Sequence, residues 1–97
     1  MTTYVLALLK FTDRPTYDRY QARFMEVFRK FDGRLLAADE RPVLSEGQSD
    51  REKIVLMSFP DEAAARRFLD DPAYVEIAKD RHAGADTVAW FVQGFDV

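Results

Sequence analysis

The sequence predicts an α+β domain, an antiparallel sheet whose helices all lie on one face. Three observations lead there. Short apolar runs of strand character alternate with stretches of helical spacing in the order β-α-β-β-α(α)-β. Acid and proline residues, with single glycines, punctuate the boundaries. The runs read as strands are apolar on both faces, although helices in such an order can cover only one of them.

The first strand is "TYVLALLKF", from Thr3 to Phe11. Asp13 and Pro15 supply the start signals of a helix that runs to about Phe31. Tyr17, Tyr20, Phe24, Val27, Phe28 and Phe31 recur at three- and four-residue spacing as its apolar stripe, with Arg19, Arg23, Glu26 and Lys30 opposite. Gly33 is expected to end that helix in a left-handed cap. "RLLAADE" from Arg34 reads as a second strand, and Pro42, which cannot donate a ladder hydrogen bond, marks an edge or kink before "VLSEG". After the polar turn "QSDRE" comes a third strand, "KIVLMSF", closed by Pro60. Asp61 is placed to cap a short helix "EAAARRFLD", and Asp71-Pro72, an N-cap acid followed by proline at the first helical position, restarts a second piece that ends near Gly84. "DTVAWFVQGF" is the last strand. This order is that of a ferredoxin-like sheet, and 97 residues make a single domain of it, residues 1–97.

Composition removes several function classes. With a net charge of −3 the chain has no electrostatic footprint for nucleic acid or an anionic membrane. No apolar run approaches the roughly 20 residues of a membrane span, and "MTTYVLALLK" lacks the basic start and small-residue cleavage site of a secretory signal, so the chain reads as cytoplasmic. The absence of cysteine rules out disulfides, thiolate chemistry and iron–sulfur clusters. A single histidine argues against a metal site or a haem ligand, and no cofactor is expected. There is no phosphate-binding glycine loop and no nucleophile elbow.

The strands point to self-assembly. Val5, Ala7 and Leu9 lie on one face of the first strand, with Tyr4, Leu6 and Leu8 on the other. Ile54 and Leu56 oppose Val55, Met57 and Phe59, and Val88, Trp90 and Val92 oppose Ala89 and Phe91. A second apolar face of that extent exceeds what a soluble monomer exposes. The expectation is a homodimer with the sheets face to face.

The segments "YDRY", "FDGRLLA", "LSEG", "VLMSFPDEAAARRFLDDPAY" and "DRHAG" resemble a small uncharacterised family, the domain of unknown function numbered 1330, within the dimeric α+β barrel superfamily. The likeness runs from about Tyr17 to Gly94. It departs at Asp32-Gly33, where the family usually has two glycines, and at Ser45, where a leucine commonly precedes Glu-Gly. The resemblance implies the ferredoxin-like fold and a barrel formed by two sheets. That superfamily holds cofactor-free monooxygenases of antibiotic biosynthesis, chlorite dismutase-like haem proteins and muconolactone isomerase-like enzymes. The family's own activity is not established, so shape is transferred and chemistry is not.

Arg81 is the most informative single residue. It shares a helical face with Tyr74, Ile77 and Ala78, while Glu76, Lys79 and Asp80 point elsewhere. A desolvated guanidinium needs an acceptor. Glu46, in the loop that the resemblance marks, is the carboxylate expected to meet it. That meeting is either a structural bridge or one side of a pocket in which Arg81 binds an anionic or carbonyl group. Snorkelling of Arg81 to water is the further architectural alternative. Tyr20 and Tyr74 sit on inward helical faces as core residues or pocket hydroxyls, and Trp90 is core or a flat apolar wall. His82 turns off the apolar face, as a partly solvated residue or as an acid–base group at the rim.

Three functions are compatible with these residues. The first is a homodimer binding a small molecule in a pocket lined by Tyr20, Glu46, Tyr74, Arg81 and Trp90, with His82 at its rim. The second is a cofactor-independent enzyme, monooxygenase- or isomerase-like, on a small aromatic or lactone-like substrate. The third is a non-catalytic dimerisation or regulatory module.

Overall fold

The computed structural model describes residues 1–95. Its elements are β1 (Thr3–Phe11), α1 (Arg14–Phe28), β2 (Arg34–Asp39), β3 (Lys53–Phe59), α2 (Glu62–Leu69), α3 (Pro72–Gly84) and β4 (Ala85–Gln93). Each helix starts on an aspartate that satisfies a free backbone N–H of the first turn. Asp13 accepts from Thr16 N at 3.3 Å, Asp61 from Ala64 N at 2.8 Å and Asp71 from Ala73 N at 2.9 Å.

The end of α1 differs from the expected glycine cap. Its last turn tightens into i to i+3 bonds, Lys30 N to Val27 O at 3.2 Å and Phe31 N to Phe28 O at 3.0 Å. Gly33 is not left-handed; the one positive-φ residue described is Gly47, at 91° in the loop after β2. Gly33 is glycine for space instead, since a Cβ there would stand 2.7 Å from the Phe59 ring and 2.8 Å from that of Phe28. Gly84 is tighter still. A Cβ on it would lie 2.5 Å from Tyr17 N, and its carbonyl accepts from Thr12 N at 2.9 Å and Asp13 N at 3.1 Å, which draws the end of α3 onto the start of α1.

The sheet is antiparallel throughout, in the order β2-β3-β1-β4. Its register puts Val5 opposite both Met57 and Phe91, Ala7 opposite Val55 and Ala89, and Leu9 opposite Lys53 and Thr87. All of these side chains face the helices. Leu6, Leu56 and Trp90 form a cross-strand row on the other face, as do Leu8, Ile54 and Val88. A bulge between Leu35 and Ala37 lets both Leu35 and Ala38 face the helices. Every residue of β2 is exposed, so the helical layer leaves that edge of the sheet uncovered.

The core lies between the central strands and the helices. Phe68 of α2 is 0% exposed and packs its ring against those of Phe24, Phe28, Phe31, Phe59 and Tyr74, at centroid distances of 4.4–5.9 Å, stacked on Phe59 and edge-on or tilted to the rest. Among the described residues no helix is long and apolar enough to cross a membrane.

Candidate functional site

A cavity of about 480 Å³ lies between the helices and the sheet. Its floor follows from one row of cross-strand neighbours. Ala38 pairs with Val55, Val55 with Ala7 and Ala7 with Ala89, so all four strands place a short side chain at the same level. The row is flanked by Leu9 at one level and by Met57, Val5 and Phe91 at the other. Tyr20 and Phe24 of α1, with Tyr74 and Arg81 of α3, form the roof. Tyr74 and Arg81 are seven residues apart, two helical turns on one face.

The roof is rich in donors. The Tyr20 and Tyr74 hydroxyls meet at 2.9 Å in a buried bond. Two hydroxyls carry two hydrogens, and their mutual bond uses one, which leaves the other to be donated elsewhere. Burial, reinforced by the Tyr74 hydroxyl, holds the Tyr20 phenol well above its ordinary pKa despite the opposing Arg81 charge, so it stays protonated. The Arg81 guanidinium carbon lies 6.0 Å from the centre of the Tyr20 ring. Within residues 1–95 no carboxylate approaches it within 4.0 Å. Thr87, three residues after the end of α3, borders the same cavity, and its Oγ1 is buried without a hydrogen-bond partner among the described residues.

A second polar group closes the side toward β2. Lys53 is 4% exposed; its Nζ donates to Gln21 Oε1 at 2.8 Å, meets Glu40 Oε2 at 3.2 Å and lies 4.9 Å from the centre of the Tyr17 ring. Arg14 Nη2 donates to both Glu40 oxygens, at 3.0 and 2.9 Å. Desolvation alone would raise the Glu40 pKa, but the bonds from Arg14 and Lys53 outweigh it and hold the carboxyl below its ordinary value. A carboxylate engaged in this way is a poor base.

The structure brings Tyr20, Tyr74 and Arg81 together around the cavity and places the other candidates apart. Glu46 is exposed and does not line it, and the expected Arg81–Glu46 ion pair is not formed within residues 1–95. The strand order is the reason. Glu46 follows β2 at one edge of the sheet, whereas Arg81 lies on α3, which leads directly into β4 at the other. The carboxylate that does reach the cavity is Glu40. His82 is exposed and does not line the cavity; partial desolvation, then the neighbouring Arg81 charge, lower its pKa. Trp90 borders the cavity along β4, but its register partner Leu6 puts its side chain on the helix-free face. Lys53, Gln21, Glu40 and Thr87 were not foreseen. The signal for Lys53 was present, since it shares strand parity with Val55, Met57 and Phe59 and so had to face the helices. Among the described residues no group of His, Asp and Glu is gathered that could hold a metal ion.

A ferredoxin-like sheet with a one-sided helical layer and a donor-lined cavity defines an α+β fold class with many chemistries. The chain belongs to the family described as Domain of unknown function (DUF1330), whose model matches residues 2–95. No curated protein matches its sequence. Among solved structures it is similar to a protein of unknown function from Rhodopseudomonas palustris, with a TM-score of 0.81 and 19% identity over 99% of this chain and 84% of that one. It is similar to SnoaB, a cofactor-independent oxygenase from Streptomyces nogalater, with a TM-score of 0.71 and 16% identity over 99% and 95% of the two chains. A dimeric ferredoxin-like protein of unknown function from Jannaschia gives a TM-score of 0.71 and 13% identity over 97% and 100%. At these identities the likeness concerns the fold.

Proposed function

We propose that the chain is a homodimer, packed through the helix-free faces of its sheets, in which each subunit binds a small organic acid in the cavity between helices and sheet. The observation that carries the binding half is the Arg81 guanidinium, turned onto that cavity beside the Tyr20–Tyr74 pair with no carboxylate of residues 1–95 within 4.0 Å of it. A cation and a spare hydroxyl hydrogen take the same complement, an oxygen anion. The remaining walls are mostly apolar and suit a hydrocarbon body.

Thermal melts with benzoate, phenylacetate and hexanoate, each beside its neutral amide, test this reading. A ligand at 100 times its Kd stabilises by about 2.7 kcal/mol, on the order of 10 °C for a chain of this size. The acids should raise the melting temperature and the amides should not, and Arg81→Gln should remove the rise. A rise that survives Arg81→Gln, or no rise with any acid, overturns the reading.

The dimer rests on the second apolar face. Val88 at 37%, Trp90 at 48% and Val92 at 45% exposure stand beside the Leu6, Leu8, Ile54 and Leu56 side chains, and the similar Jannaschia protein is itself dimeric. Sedimentation at micromolar concentration should give twice the chain mass of 11.2 kDa, and Trp90→Asp should return it to that single mass. A wild-type chain that sediments as a monomer excludes this arrangement.

The similarity to SnoaB favours a second, catalytic reading in which the same donors stabilise an oxyanion on a bound substrate. It requires a base, and Glu40, tied to Arg14 and Lys53, is poorly suited to that role.

A further inference from the structure

We infer that the acid bound in this cavity is a flat, ring-bearing carboxylate, seated on the alanine row with its carboxylate toward Arg81. The inference rests on the acid-binding reading above and specifies the class of its ligand. Ala38, Ala7 and Ala89, with Val55 between, cross all four strands at one level, and neighbouring strands stand about 4.8 Å apart. The floor is thus a broad, shallow strip rather than a round pit. It is also unfilled. Ala7, on a central strand and on the helix-facing side, keeps partial solvent exposure, and Ala38 and Ala89 are exposed.

The opposing wall is aromatic. Tyr20, Phe24 and Tyr74 line it, and their mutual tilts, 60° between Tyr20 and Phe24 and 79° between Tyr20 and Tyr74, lock the rings against one another. A slot between a strip of methyl groups and a set of fixed rings matches a planar body, which gains ring–ring contact there that a puckered or flexible one does not. The polar groups stand to one side of the strip. Lys53 and Thr87 are both register neighbours of Leu9, one level from the alanine row, and Arg81 is on the helix that leads into the Thr87 strand. A ring lying on the alanines therefore has its acid end directed to the Thr87–Arg81 corner. The Arg81 guanidinium, with no carboxylate of residues 1–95 within 4.0 Å and the Tyr20–Tyr74 hydroxyl pair beside it, is the observation, independent of the small-residue floor, that marks this corner for an acid.

Isothermal titration with 2-naphthoate, its fully saturated decahydro analogue and decanoate tests the inference. The expected result is binding of 2-naphthoate at least tenfold tighter than either, and a loss of at least tenfold in Ala89→Leu, which builds a side chain onto the strip without touching Arg81. Melting curves establish that the variant folds, and Ala7→Val makes the same test more mildly if it does not. Equal or tighter binding of decanoate or the saturated acid overturns the ring assignment, as does unchanged naphthoate affinity in a folded floor variant. If Arg81→Gln still weakens all three acids in that case, the acid-binding reading stands and only the ring assignment falls. If no acid binds the wild type, both fall together.

Discussion

Replacing Phe68 by alanine should cost about 4 kcal/mol, within the range for removing a fully buried phenylalanine. That is a large part of the total stability of roughly 5–15 kcal/mol of a domain. The size follows from position. Phe68 is 0% exposed and touches rings from α1, the turn after it, β3 and α3, so no single neighbour can move into its place without releasing another. The measurement is urea unfolding, in which the midpoint should fall steeply while the slope stays near that of wild type. A loss under about 1.5 kcal/mol would mean that the surrounding rings collapse into the space and that the cluster is looser than its geometry implies. Phe68→Leu, which retains most of the volume, should lose far less. The contrast matters for function, because Tyr74, the hydroxyl partner of Tyr20, rests its ring on Phe68 at 4.4 Å, and a collapse there would also displace the cavity roof.

Most of the fold was legible because its signals are local. Asp13, Asp61 and Asp71 cap the helices that they were expected to cap, and the apolar runs "TYVLALLKF" and "KIVLMSF" form strands with the expected limits. The Gly33 reading failed because a glycine after a helix has two uses, a left-handed cap and a close approach. Only the positions of Phe28 and Phe59, which come together in three dimensions, decide between them. The candidate site was legible along single elements and illegible across them. Tyr74 and Arg81 on one helical face could be read from spacing, as could the inward face of Tyr20. The failure of the Arg81–Glu46 pair could not, since only the strand order shows that the Glu46 loop follows β2 at one edge of the sheet while the helix of Arg81 leads into β4 at the other. The alanine row is the same kind of fact. Ala7, Ala38 and Ala89 are unremarkable apart and meet only through the pairing register.

Lys53 offers the sharper test of what the cavity is for, because its two neighbours make unequal claims on it. Glu40→Leu should destabilise by about 2 kcal/mol: it leaves an ammonium of 5% side-chain exposure without its counter-ion, yet the Glu40 carboxylate is itself 35% exposed, so the loss stays below that of a fully buried pair. Lys53→Met removes the buried charge itself. Glu40 then keeps both bonds from Arg14, at 2.9 and 3.0 Å, and a side chain of similar length fills the space between Tyr17 and the floor. That substitution should be neutral or stabilising by up to about 1 kcal/mol, as is common when an apolar residue of similar volume replaces a buried ion. Gln21 loses a hydrogen bond, but it is exposed and water can replace the donor. Thermal melts of the two variants should therefore separate, with Glu40→Leu well below wild type and Lys53→Met level with it or above. In that order the lysine contributes nothing net to the stability of the folded chain, and its place on the cavity wall calls for a reason outside folding, contact with a bound acid being the one that its charge and position supply. The opposite order, with Lys53→Met the more damaging, would make the ammonium a strut that joins α1 to β3 and to the residue after β2, and would leave Arg81 as the cation for the proposed acid.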